Sequence, residues 1–314
     1  MKRIPPGDPQ LPARRASAWS GWLITACAAA VLGLATLLVI KMPADPALPA
    51  VKKPVIEAVQ APVQPIVSFV PVLRGSHKPT DVPTLDLPIQ SLTLSMQLVS
   101  NAIFEERQFP SREVVRLEEI LNHFPLLLNG TAAIVPGPGG HLATLTTETI
   151  PCPWKPSATL LIIALRGNPL TACDVKLSYH AAHDFVFRYR LLGFSSTDGV
   201  PADALPSLLA AGSSTVLALE IEPSRPGGNL GTLRWTAAGK PAPEIPLIHR
   251  ADAEPSDDAR FAALVCTFGQ WLTGEQAGTI DAETVAALAR ETSSATLPAD
   301  RAKFIALVGR ALDL

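Results

Sequence analysis

Most signatures of catalysis are missing from this 314-residue chain. It has no Gly-x-Ser-x-Gly elbow to expose a nucleophilic serine, no His-Glu-x-x-His to hold zinc on a helix face, no P-loop and no Cys-x-x-Cys. The Pro136-Gly137-Pro138-Gly139-Gly140 run is rich in glycine, but its two prolines remove the backbone donors that would hold phosphate, so it reads as a loop. Charge is scarce, at 17% of residues with a formal net value of −2, which argues against nucleic acid or any other polyanion as a partner. Of four cysteines, Cys152, Cys173 and Cys266 fall after residue 150, where an odd count allows at most one disulfide and speaks against a disulfide scaffold. Cys266 sits beside an apolar helical stripe and reads as a small buried hydrophobe.

What is abundant is proline, 31 residues in all, with much of the bias in the first ninety positions. Within that region 21–40 is uncharged and mostly apolar, and at about 1.5 Å per residue it matches a hydrocarbon core of roughly 30 Å. Trp19, Trp22 and Lys41 stand at its ends as interfacial anchors, and Lys2, Arg3, Arg14 and Arg15 precede it. This predicts a short cytoplasmic N-terminus over 1–18 and a single uncleaved span over 19–41, with the rest of the chain outside the inner (cytoplasmic) membrane. Ile24-Thr25-Ala26-Cys27 also reads as a lipobox, but cleavage there would leave the most apolar part of the run on the mature protein. From 42 to 90 proline recurs without helical or strand periodicity, which predicts an extended spacer.

The remainder predicts an α+β fold. Two short helices are expected over 93–107 and 111–124, inside a helical region assigned to 91–140. Ser111 is placed to cap the second, and Val114, Leu117, Leu121 and Phe124 form its packed face. Seven strands are expected over 142–149, 159–165, 175–180, 185–194, 215–222, 230–236 and 244–249, giving a β-sandwich over 141–250. Phe261, Leu264, Val265, Phe268 and Leu272 form one helical stripe of a C-terminal region over 251–314. Phe304, Leu307, Val308 and Ala311 form another, and Asp281 starts a helix between them that runs to Arg290.

Three sets of residues invite a chemical reading. Glu118 and Glu119 are paired carboxylates, but neighbours on a helix point about 100° apart, so a solvated face is expected. Asp257 and Asp258 follow Ser256 as acids favoured in a capped first turn. His180 and His183 have a spacing that could serve a metal on a helix, yet they fall near a connection between strands and read as surface histidines. No catalytic, cofactor-binding or metal-ligating residue is assigned, and no cofactor is expected. Asn129-Gly130-Thr131 matches a glycosylation sequon, read as coincidence.

Several segments together resemble the regions flanking the central domain of bacterial YfbK-type von Willebrand factor A (VWA) proteins. They are Val114-Val115-Arg116-Leu117-Glu118-Glu119-Ile120-Leu121-Asn122-His123-Phe124, Pro151-Cys152-Pro153-Trp154-Lys155-Pro156 with Leu160-Leu161-Ile162-Ile163-Ala164-Leu165, Asp174-Val175-Lys176-Leu177 and Tyr189-Arg190-Leu191-Leu192-Gly193-Phe194. Ser256-Asp257-Asp258, Arg260-Phe261-Ala262 and Arg301-Ala302-Lys303-Phe304 extend the resemblance over residues 94–314. In that family a full VWA domain stands between the two halves, whereas here 166–174 is all that separates Leu165 from Val175. No Asp-x-Ser-x-Ser pentad is present to hold Mg²⁺. The resemblance implies a host domain without its guest, with a hairpin at the junction and without metal-dependent adhesion.

The function expected from these readings is a non-catalytic envelope adaptor or assembly protein. Its partner would be another envelope protein, with one that retains a VWA domain as a candidate. A membrane-anchored signalling regulator of the anti-sigma kind needs a cytoplasmic effector, for which about twenty residues before the span are too few. An enzyme with an unfamiliar site ranks last.

Overall fold

Along residues 159–167 Leu160 and Ile162 alternate with Leu161, Ile163 and Leu165, and all five are buried. A strand covered on both faces must lie between two layers, and this one does. The computed structural model describes residues 75–314 except 138–139, 195–203, 226, 250–253, 277 and 294–296. Its eleven named strands are β1 (Thr84–Leu87), β2 (Thr131–Gly137), β3 (Gly140–Pro151), β4 (Thr159–Gly167), β5 (Cys173–Ala181), β6 (Val186–Leu191), β7 (Leu208–Leu209), β8 (Ser214–Pro223), β9 (Gly228–Ala237), β10 (Lys240–Pro241) and β11 (Ile245–His249). They form two antiparallel sheets: one in the order β2-β3-β4-β8-β6, the other β1-β5-β9, with β10 and β11 on β9 and β7 on β5.

Leu161, Ile163 and Leu165 of β4 and Leu217, Leu219 and Ile221 of β8 meet Val175, Leu177 and Tyr179 of β5 and Leu233 and Trp235 of β9 in the core between the sheets. Tyr179 and Tyr189 stack edge-on there at 5.0 Å, and their hydroxyls donate to the carbonyls of Leu230 and Val82. The opposite face of the first sheet carries Leu160, Ile162, Val216 and Ala218 into a second core made with helices.

Those helices are α1 (Leu94–Phe104), α2 (Leu117–Asn122), α3 (Asp257–Thr273), α4 (Ala282–Thr292) and α5 (Ala299–Leu312). Phe124, Phe261, Phe268 and Phe304 interlock edge-on at centroid spacings from 4.8 to 5.6 Å. A fully buried side chain of this size contributes about 1.5–3 kcal/mol, so this cluster does much to hold the helices of that layer to one another. Ser256 caps α3 by accepting the Ala259 amide at 3.1 Å, and Asp281 caps α4 by accepting that of Thr284 at 2.8 Å.

All seven predicted strands are present, as β3, β4, β5, β6, β8, β9 and β11. Two others lie in stretches read differently. β1 falls at the end of the expected spacer, where Leu85 and Leu87 turn inward against β5. β2 falls within the expected helical region and buries Ala133 and Val135. The helix expected over 111–124 is confined to Leu117–Asn122, and Ser111 does not cap it. The cause is Ser95, whose hydroxyl donates to the Val114 carbonyl at 2.7 Å and accepts the Arg116 amide at 3.2 Å, holding those backbone groups outside a helix.

The expected hairpin at the family's insertion point is also corrected. β4 and β5 belong to different sheets and do not pair, so the connection over 168–172 crosses from one layer to the other. Buried Asn168 organises it, accepting the amides of Leu170 and Thr171 and donating to the His141 carbonyl. The expected membrane span, the lipobox and most of the spacer lie outside the described residues. Among the described residues no helix is long and apolar enough to cross a membrane.

Candidate functional site

Helix α1 reads LSMQLVSNAIF and contains no charged residue. Ser95, Met96, Val99, Ala102 and Ile103 face inward, yet the outer side is not polar as a solvated helix would require. Leu94 is 60% exposed, Phe104 41%, and Leu92 just before the helix 57%. With α5 this outer side forms a groove of about 800 Å³, lined by Leu92, Leu94, Met96, Phe104 and Ala306, with Gln97, Ser100 and Asn101 along it. Among the described residues, Asp300, Lys303 and His123 are its titratable lining groups. The helix was legible in the sequence and the groove was not, although the run from Ser91 to Phe104 without a charge is a signal that could have exposed it.

Beneath α1 and α2 lies a polar seam that fixes both to the sheet. Glu118 and Glu119 are buried, not solvated as expected. Their side chains do diverge. Glu119 accepts the Ser95 amide at 2.9 Å and pairs with Arg116 at 3.0 Å, while Glu118 reaches the other way and accepts the Phe194 amide at 2.8 Å. Burial pushes the Glu118 carboxyl above the ordinary value, against the lowering pull of that amide. Gly193, at φ 81°, lies so close that a Cβ there would sit 2.6 Å from the Glu118 carboxylate.

Asn122 completes the seam by taking the place of a missing strand. β6 stays with β8 as far as the Leu192 amide, which donates to Ala218, and then the chain turns away with positive φ at Gly193 and Phe194. The next β8 amide on that edge, Val216, donates to the Asn122 side chain at 2.7 Å, and the Asn122 amide donates to the Gln90 carbonyl at 2.7 Å.

Two further ties consume the other buried charges. Glu220 accepts Trp154 Nε1 at 2.8 Å and Arg190 at 2.7 Å, and Arg190 also reaches Gln270 on α3. Burial raises the Glu220 carboxyl, but the Arg190 guanidinium and the Trp154 hydrogen bond outweigh it and leave the group below its ordinary value. Asp258 pairs with Arg301 of α5 at 2.8 Å and accepts the Leu127 amide, so the aspartates after Ser256 anchor α3 as well as filling its first turn. Asp257 pairs with Arg260 at 2.7 Å.

The histidines do not converge. His180 is in β5 and shares hydrogen bonds with Thr84 and Ser178, while exposed His183 pairs with Asp184 in the turn that follows. Cys152, Cys173 and Cys266 are free and buried, and burial pushes the Cys152 thiol up to about 12, far from the thiolate form a nucleophile needs. Among the described residues no group of three His, Cys, Asp or Glu could hold a metal ion. No family model, curated protein or solved structure matches this chain.

Proposed function

We propose that this chain is a non-catalytic, membrane-anchored adaptor or assembly protein of the cell envelope, and that the groove between α1 and α5 is its docking surface. The observation that carries this reading is the charge-free α1, which turns Leu94 and Phe104 outward along a groove instead of burying or replacing them. Glu118, Glu119, Glu220 and Asp258 are meanwhile spent on joining layers, and none of these four acids lines the groove. The resemblance to the flanks of YfbK-type VWA proteins agrees with a host domain that lacks the metal-dependent guest.

A photoreactive benzophenone side chain placed at Phe104 of the full chain in native membranes tests this, with the comparably exposed Phe187 of β6 as the control position. Protein adducts at 104, absent at 187, lost with Leu92→Asp and indifferent to EDTA, are the expected outcome. Lipid adducts alone, or the same proteins captured from both positions, would refute the docking surface. Loss of the adducts with EDTA would refute the metal-independent mode.

A further inference from the structure

The groove offers a hint about what fills it. Its rim carries one acid and one base, Asp300 and Lys303, at i and i+3 on α5. Residues so spaced lie on one helix face. Their neighbours on α3 and α5 are paired within the chain, Asp258 with Arg301 and Asp257 with Arg260, but Asp300 and Lys303 form no ion pair with another described residue. The rest of the lining among the described residues, His123 apart, is uncharged.

A twofold interface sets the same patch against itself, so it must carry its own complement. An acid and a base side by side meet that condition, because antiparallel apposition of two grooves brings Asp300 of each copy to Lys303 of the other. The charge-free α1 meets it as well, since no like charges face each other near the axis. The patch also offers apolar side chains for self-packing, since Leu92, Leu94 and Phe104 are exposed along the groove they line.

We infer that the groove between α1 and α5 is the twofold interface of a homodimer, with Leu92, Leu94 and Phe104 of one copy in the groove of the other and two reciprocal Asp300–Lys303 pairs at its rim. This rests on the reading of the groove as a protein-docking surface and names its partner as a second copy of this chain.

The test uses the full chain, half of it ¹⁵N-labelled, reconstituted into one population of lipid vesicles and treated with a carbodiimide that joins a carboxylate to an amine. The expected product has twice the 33.2 kDa chain mass and an Asp300–Lys303 linked peptide of mixed isotope content. Leu94→Asp puts an acid at the first position of α1, which the helix itself favours, so the fold is kept while an apolar contact is spoiled. It should lower dimer yield by about tenfold or more. Asp300→Lys and Lys303→Asp, each alone, set like charges together and should weaken sedimentation of the dimer, whereas the double exchange should restore it. A chain that stays monomeric, or a dimer untouched by Leu94→Asp and by both single exchanges, overturns the inference. If benzophenone at Phe104 captures a different protein while the chain remains monomeric, only the homodimer falls; if it captures no protein, the docking surface falls with it.

Discussion

Replacing Asn122 by alanine should loosen the helical layer at one identifiable point. The side chain accepts the amide of Val216, a fully buried residue, and donates to the Gln90 carbonyl, both at 2.7 Å. The carbonyl keeps a second donor in Thr215 at 3.0 Å, but the amide has no strand beside it, because the chain leaves β8 after Leu192. An ordinary hydrogen bond contributes about 1 kcal/mol and an orphaned buried donor costs about 1–3 kcal/mol, so the substitution should destabilise by about 3 kcal/mol in total. In a domain of this size that corresponds to a fall in Tm of roughly 6–12 °C. Hydrogen exchange on the full chain locates the effect: the Val216 amide should lose protection more than amides in the middle of the β3–β4 ladder. Asn122→Asp keeps the acceptor and should retain much of the Val216 protection while weakening the link to Gln90. Stability within about 0.5 kcal/mol of the parent and an unchanged Val216 amide would show that Asn122 does not close the sheet edge.

Two further outcomes follow from the seam and the sheets. Glu118 has a raised native pKa, so its contribution is complete below the ordinary value of 4.5 and is lost as pH rises through the native one. Glu118→Gln keeps an acceptor for the Phe194 amide without a buried charge, and should be more stable than the parent near pH 8 and level with it near pH 4, whereas Glu118→Leu orphans that amide and should lose about 1–3 kcal/mol at both; denaturation curves in which Gln gains nothing at the higher pH contradict this. A chain ending at Gly167 keeps β1 to β4 but removes β8 from the edge of β4 and β5 and β9 from its inner face, so it should aggregate; a soluble monomer with dispersed, exchange-protected amide signals would disprove the shared core.

What the sequence disclosed and what it hid divide along the range of the interactions. The apolar run at 159–165 and the stripes through Phe261 and Phe304 are local patterns, and each gave its element directly. The Ser256 and Asp281 caps are equally local. By contrast, the burial of Glu118 and Glu119 depends on Phe194 and Ser95, 76 and 24 residues away, which no helical periodicity can anticipate. β1 was hidden by its four residues amid prolines, and β2 by the Pro136 that ends its regular pairing with β3. The hairpin expected between β4 and β5 rests on the resembled family's layout and on the strand pattern either side of a short link, and only the partners of each strand decide otherwise.

That crossing bears on the proposed relation to VWA proteins. A hairpin relies on its own turn for register, so opening it to admit a domain would leave two strands to find each other again. β4 and β5 do not rely on each other: β4 is held on both edges by β3 and β8, and β5 by β1 and β9. The connection between them bonds to the carbonyls of His141 and Leu142 and to the Gly212 amide, and contributes none of the side chains of the inter-sheet core. A connection between sheets whose strands are each pinned independently can carry a long insertion or only a short bridge at little cost to the core. On this argument the guest domain of the resembled family and the short link seen here are alternatives open to one host fold.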